Sequence, residues 1–273
     1  MKSVLLDFTK FIEVSGVNDN DWISTVLSSP FMKIMADSLN RSSNEMDPRA
    51  TPLYKAVIGH VGPERTVIDI GAGVGRFAIP LAQDGIKVTA VEPSDEMRRH
   101  LKEAIASSGL SSGINVVPSS WPVDKALTAE VVFASFVIQF SKNPMEFIHA
   151  MERSARNQCI LSVHVDQPLE FLRNIWQVFR PTEPVPVMLT FSDLYPMLLN
   201  MGIIANVAII EEKRMSRPVM EPAKIITLLS DLLSIRDKPA DMQRLKEILE
   251  GMRSRIQEPP SMRTAIVSWQ PRR

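Results

Sequence analysis

Val67-Ile68-Asp69-Ile70-Gly71-Ala72-Gly73-Val74-Gly75, followed shortly by Val88-Thr89-Ala90-Val91-Glu92, decides how this chain folds. The first stretch is a short apolar run that breaks into alternating glycines. It predicts a strand at 66–70, a tight turn, and a helix at 76–83. Glycine tolerates positive φ and lets the backbone approach a ligand, and a helix that starts at such a turn offers its free N–H groups to that ligand. Two details narrow the ligand. The spacing is G-x-G-x-G, with Arg76 where a dinucleotide-binding turn carries its third glycine. Asp69, two residues before the first glycine, suits a cationic ammonium group and would repel a pyrophosphate. The second stretch is a strand ending in a carboxylate, 17 residues after Gly75. Glu92 is placed there to accept hydrogen bonds from the two hydroxyls of a ribose.

Working outward, strands and helices alternate. Helices at 94–108 and 144–155 separate strands at 115–117, 130–136 and 158–165. The apolar middle of 130–136 predicts a strand buried on both faces. Beyond 165 come a helix at 168–179, a loop kept extended by Pro181, Pro184 and Pro186, a helix at 191–199 and a sixth strand at 203–210. Two amphipathic helices follow, with stripes at Ile225, Ile226, Leu228, Leu229, Leu232, Leu233 and at Met242, Leu245, Ile248, Leu249, Met252. Each stripe buries one face, so the pair cannot close a core alone. A final strand spans 264–269. Upstream, Phe31, Ile34, Met35 and Leu39 recur at helical spacing, and 52–60 reads as a further helix. The chain therefore reads as α/β. The expected fold is a Rossmann-like, doubly wound, mostly parallel seven-stranded sheet, with an N-terminal helical segment and a helical insertion before the last strand. The expected divisions are a helical cap at 1–62, the core at 63–210, the insertion at 211–262 and the last core strand at 263–273.

Asp69-Ile70-Gly71-Ala72-Gly73-Val74-Gly75 and Val91-Glu92-Pro93-Ser94-Asp95-Glu96-Met97 resemble the first two motifs of class I S-adenosylmethionine-dependent methyltransferases. The resemblance implies that the loop from Gly71 through Ala72 and Gly73 to Gly75 lies under the methionine part of S-adenosylmethionine. It also implies that Glu92 holds the ribose, that Pro93 and Met97 lie beside the adenine, and that Ser135 and Phe136 border the transferable methyl. Two departures from the family stand out. Where many members carry an acidic residue for the adenine amino group, this chain has Ser119-Ser120-Trp121, so Ser120 and Trp121 are the candidates for that contact; Trp121 is equally a core aromatic. Ser135-Phe136-Val137-Ile138 also lacks the Asn/Asp-Pro-Pro-Tyr signature of enzymes that methylate exocyclic amines.

Composition narrows the acceptor. Lys+Arg and Asp+Glu each number 31, so no basic excess is present to neutralise phosphates, and nucleic acid is not expected as a partner. Apolar residues at 45% and 15 methionines favour a greasy pocket and a small-molecule acceptor. No apolar run is long enough to span a bilayer, no signal peptide of normal length fits, and the single cysteine, Cys159, permits no internal disulfide; a cytoplasmic setting is expected. Four scattered histidines make no metal-ligand pattern, and no metal is expected. Methyl transfer from a sulfonium needs in-line positioning, and a base only where the nucleophile carries a proton. His164, near the carboxyl end of the fifth strand, is the candidate base, and it is equally a hydrogen-bonded structural histidine. Three alternatives stay open: a protein side-chain methyltransferase, a non-catalytic cofactor-binding protein, and a nicotinamide oxidoreductase, the last opposed by Asp69 and the missing third glycine. No motif names the acceptor or the oligomeric state.

Overall fold

The structure is a computed structural model that describes residues 36, 47–168, 170–213, 222–252 and 261–272. The seven expected strands are β1 Thr66–Ile70, β2 Lys87–Val91, β3 Ile114–Val117, β4 Ala129–Ser135, β5 Ala155–His164, β6 Asn206–Lys213 and β7 Ser261–Trp269. They form one sheet in the order β3-β2-β1-β4-β5-β7-β6. β1 to β5 are parallel to one another, and β7 runs antiparallel to both β5 and β6. The chain order reverses between β1 and β4, so the carboxyl ends of those two strands bound the crevice where open α/β sheets take their ligands.

Eight α-helices surround the sheet among the described residues: α1 Pro52–Ile58, α2 Ala78–Gln83, α3 Asp95–Ser107, α4 Pro144–Ser154, α5 Arg173–Phe179, α6 Phe191–Asn200, α7 Pro222–Leu232 and α8 Pro239–Met252. One face of the sheet is covered by α4 and α6, through Phe147, Ile148, Met151, Leu194, Met197 and Leu198. The other is covered by α1, α2 and α3, through Leu53, Val57, Ala78, Leu81, Leu101 and Ile105. Strand alternation decides which residue faces which layer. Ile68 and Ile70 meet the first core, and Val67 meets the second.

Two cores were legible in the sequence, and a third was not. The apolar stripes of α7 and α8 pack against α5. Leu229, Leu232, Leu233 and Leu245 join Leu172, Ile175 and Trp176 in a cluster separate from both faces of the sheet. The expectation that the pair cannot close a core alone holds only in the sense that a third helix, encoded some 50 residues earlier, closes it. Arg180 ties the unit together by donating to the Leu233 carbonyl at 2.8 Å.

Two boundaries differ from expectation for local reasons. The sixth strand starts at Asn206, three residues later than the apolar run suggests. Gly202, at φ +76°, ends α6, and Ile203 turns back to donate to the Leu198 carbonyl at 2.8 Å. Ile203 is thereby spent as the buried stop of a helix. The helix after the glycine turn starts at Ala78 and not at 76, because Gly75 donates back to Ala72 and extends the turn. At the opposite edge of the sheet, Glu130 clamps the entry to β1 by accepting from the backbone N–H groups of Glu64 (3.0 Å) and Thr66 (3.2 Å). Of the N-terminal expectations, Phe31, Ile34, Met35 and Leu39 lie outside the described residues. Ala36 is helical and fully buried, in a cluster with Val74 of the glycine turn and Met97 of α3.

Candidate active site

The glycine turn sits at the carboxyl end of β1, and each of its glycines is needed. Gly71, Gly73 and Gly75 all have positive φ, at +68°, +57° and +94°. A Cβ on Gly71 would lie 2.4 Å from Cγ2 of Val137, and one on Gly75 would lie 2.7 Å from Cδ1 of Leu101. A Cβ on Gly73 would meet nothing closer than 4.0 Å, so there the requirement is conformational. The amides of Gly71 and Ala72 both donate to the Val91 carbonyl, at 2.7 and 3.2 Å, and this pins the turn to the end of β2.

Glu92 follows at that strand end and is 6% exposed. Its Oε2 accepts from the Gly73 N–H and its Oε1 from the Ser94 N–H, both at 2.8 Å. A carboxylate has about four acceptor sites, so two remain for a ligand's hydroxyls after these bonds. Burial pushes the Glu92 carboxyl up, and the two amides and the nearby Arg98 counteract part of that push. Arg98 itself donates to the Glu92 carbonyl at 2.8 Å and pairs with Asp95. Ser94 caps α3, its hydroxyl accepting from the Met97 amide; Met97 is buried and Pro93 is exposed.

Asp69 lies on the same face of β1 as Val67. It is 2% exposed, and its Oδ2 has no hydrogen-bond partner. Burial, and secondarily the charge of Glu92, raise its carboxyl from 3.8 to about 8. A buried carboxylate without a cation is costly, and two of them side by side are more so. Asp69 is electrostatically unfinished, and a ligand bearing positive charge completes it. Together, the orphaned oxygen of Asp69 and the close-fitting glycine turn fit the ammonium end of S-adenosylmethionine, and the spare acceptor sites of Glu92 fit its ribose.

The neighbouring strands bring the remaining candidates to the same edge. Register places Asp69 beside Phe133 and Ser135 beside Ser162. Alternation then puts Asp69, Ser135, Ser162 and His164 on one face of the sheet. Phe136, just past β4, donates its amide to the Ser162 carbonyl at 2.9 Å and adopts φ +56°. Its ring lies against the His164 imidazole, with centroids 4.5 Å apart and planes tilted by 31°. Beyond His164 the chain turns at Asp166, whose carboxyl is held below the usual range by Arg263, with Arg263 Nε 3.0 Å away. A depression of about 480 Å³ opens beside it, lined by Val165, Asp166, Gln167, Met188, Thr190 and Asp193.

The site does not gather every candidate on equal terms. The indole N–H of Trp121 donates to the Phe147 carbonyl at 3.1 Å, and its ring meets Phe147 edge-on, so its polar handle is committed to α4; Ser120 is exposed. Cys159 is fully buried, and burial pushes its thiol well up. Trp176 belongs to the three-helix core, and the Tyr195 hydroxyl donates to the Ala205 carbonyl at 3.2 Å. Among the described residues, no three His, Cys, Asp or Glu side chains are grouped to hold a metal, and no helix is long and apolar enough to cross a membrane. Sequence reasoning missed Val137, which forms the floor beneath Gly71. Nothing local marks a contact between residues so far apart in the chain.

Comparisons with known proteins agree with this geometry. Residues 68–163 match a family model described as a methyltransferase domain. A 52-residue stretch, 19% of the chain, is 42% identical to the 23S rRNA (uracil(1939)-C(5))-methyltransferase RlmD of Shewanella sediminis; it spans 12% of that protein's length. Among solved structures, YjhP of E. coli superposes with a TM-score of 0.57 at 15% identity, covering 88% of this chain and all of its own. A Geobacter sulfurreducens methyltransferase in complex with S-adenosylhomocysteine superposes with a TM-score of 0.51 at 17% identity, covering 87% of this chain and 98% of its own. Residues 68–163 thus match a methyltransferase domain, and these solved structures share the fold built around it.

Proposed function

We propose that this chain methylates a small-molecule acceptor, with Asp69 and Glu92 holding the cofactor and the edge formed by Phe136, His164 and the adjacent depression receiving the acceptor. The observation that carries the reading is the buried carboxyl of Asp69, with its unpartnered oxygen, beside Glu92 at a glycine turn. It suits a ligand with an ammonium group and vicinal hydroxyls, and it opposes a pyrophosphate. When bound, S-adenosylmethionine supplies a methyl group on a positively charged sulfur that departs as a neutral thioether, so no oxyanion needs stabilising. The chain's task is then orientation, worth roughly 7–11 kcal/mol. Asp69 pairs with the ammonium. Glu92, kept rigid by the amides of Gly73 and Ser94, accepts from the ribose. Ala36, Val74 and Met97 close the adenine side with apolar contact.

His164 is the residue we assign to receive the acceptor's proton. It ends β5 on the face of Asp69 and lies within electrostatic reach of Asp166. Asp166 favours the charged imidazolium that proton transfer creates. The unit of α5, which follows β5, and of α7 and α8, which lie between β6 and β7, has its own core, and we assign it as a cap beside the acceptor. A zero net charge supports a small acceptor over RNA, even though a short segment matches an rRNA methyltransferase.

Calorimetric titration with S-adenosylmethionine and with NAD tests the cofactor, with tight binding of the first alone expected. A labelled-methyl screen of small-molecule extract then tests the acceptor. Label appearing only in protein or RNA fractions would overturn the small-molecule assignment.

A further inference from the structure

Phe136 is one of three residues other than glycine with positive φ among the described residues, and the only aromatic one. A side chain resists the left-handed region, where glycine or asparagine sits at lower cost, so an aromatic residue held there is strained. The surroundings hold it in place. Its amide is bonded to the Ser162 carbonyl, and its ring is laid against His164, 4.5 Å away. The residue is half-buried, so this pairing does not enclose it. It stands where the chain leaves β4, between Asp69 on one side and the depression beyond β5 on the other. Hydrophobic burial does not account for the arrangement, because a half-buried position at a sheet edge asks for no ring.

An aromatic face is electron-rich and attracts a cation that sits over it. Methyl transfer changes the charge at this edge: the cofactor's sulfur is positive before transfer and neutral after it. We propose that the strained ring of Phe136, backed by His164, is a charge-discriminating element that favours the sulfonium form of the cofactor over its thioether product. The inference rests on the cofactor reading above and adds a role for one residue. Asp69 and Glu92 are assigned to parts of the cofactor that do not change on turnover, so their hydrogen bonds are the same for both forms. Phe136 can tell the two forms apart, and the preference relaxes once the methyl has left, which assists release of the product.

The test is calorimetry of S-adenosylmethionine and S-adenosylhomocysteine against the parent chain, Phe136→Leu and Phe136→Tyr. Leu and Tyr both keep a side chain at the same positive φ, so backbone strain is constant and only the ring is removed or retained. Phe136→Leu is expected to lower the ratio of the two affinities about fivefold, mostly by weakening the charged form, and Phe136→Tyr to stay within about twofold. If Phe136→Leu does not melt cooperatively, Phe136→Met serves in its place. An unchanged ratio in the ring-less variant, or equal weakening of both ligands, would overturn the inference. A parent chain that binds neither ligand would sink the cofactor reading first, and the parent titration shows that outcome separately.

Discussion

Replacing Asp69 by Asn is expected to stabilise the ligand-free protein and to weaken its hold on the cofactor. The side chain is 2% exposed with an unpartnered oxygen, and burial beside Glu92 raises its carboxyl from 3.8 to about 8. A carboxyl whose folded value lies above its unfolded value contributes stability that is complete below the unfolded value. That contribution is lost as pH rises and is gone above the folded value. The window here runs from about pH 4 to pH 8. At about 1.36 kcal/mol per pH unit the ceiling is roughly 6 kcal/mol, and relaxation around a buried charge brings the expected effect to roughly 3 kcal/mol. Asn is nearly isosteric and neutral at every pH. Its advantage over Asp should therefore be absent near pH 4, grow to pH 8 and then level off. For a chain of this size that corresponds to a melting-point gain of about 6–12 °C at pH 8.5.

Binding should move the other way. The cofactor's ammonium pairs with the ionised form of Asp69, so uptake by the parent releases a proton below pH 8, and its affinity rises with pH up to that value. Asp69→Asn should lose a charge-assisted hydrogen bond, about 1.5–3 kcal/mol, together with that pH slope. Scanning calorimetry of both proteins from pH 4 to 9 without ligand, and titrations in buffers of different ionisation enthalpy, read the two halves. A melting-point difference that stays constant across pH, or a cofactor affinity unchanged by Asn, would refute the reasoning.

Glu92→Gln keeps one oxygen for the Gly73 or Ser94 amide and removes the charge. The expected loss in cofactor affinity is about 1.5–3 kcal/mol with the fold retained, read by calorimetry alongside circular dichroism; an unchanged dissociation constant would place the ribose elsewhere. Leu245→Ala hollows the core shared by α5, α7 and α8, at a cost of about 2–5 kcal/mol to that unit. Because that core is separate from both sheet faces, cofactor affinity should stay within about threefold while turnover falls. A parallel loss of cofactor would show that the unit is no cap.

The glycine turn, Asp69 and Glu92 were legible from sequence because their chemistry depends on neighbours along the chain. A strand ending in glycines forms the same local structure wherever it is placed, and a strand-end carboxylate reaches the same crevice. The strand count and the alternation of strands with helices were legible for the same reason: periodicity is a local property. Only the tertiary structure decided what depends on residues brought together from afar. It set Val137 beneath Gly71, stacked Phe136 on His164, bonded the indole of Trp121 to α4, and closed the stripes of α7 and α8 with α5. It also turned Ile203 from an expected strand residue into the stop of a helix. An amphipathic stripe states that a face must be buried, but its partner is chosen by competition among all the apolar faces of the chain. The unusual φ of Phe136 likewise follows from the ends of β4 and β5 meeting in register, and no neighbour in its own sequence imposes it.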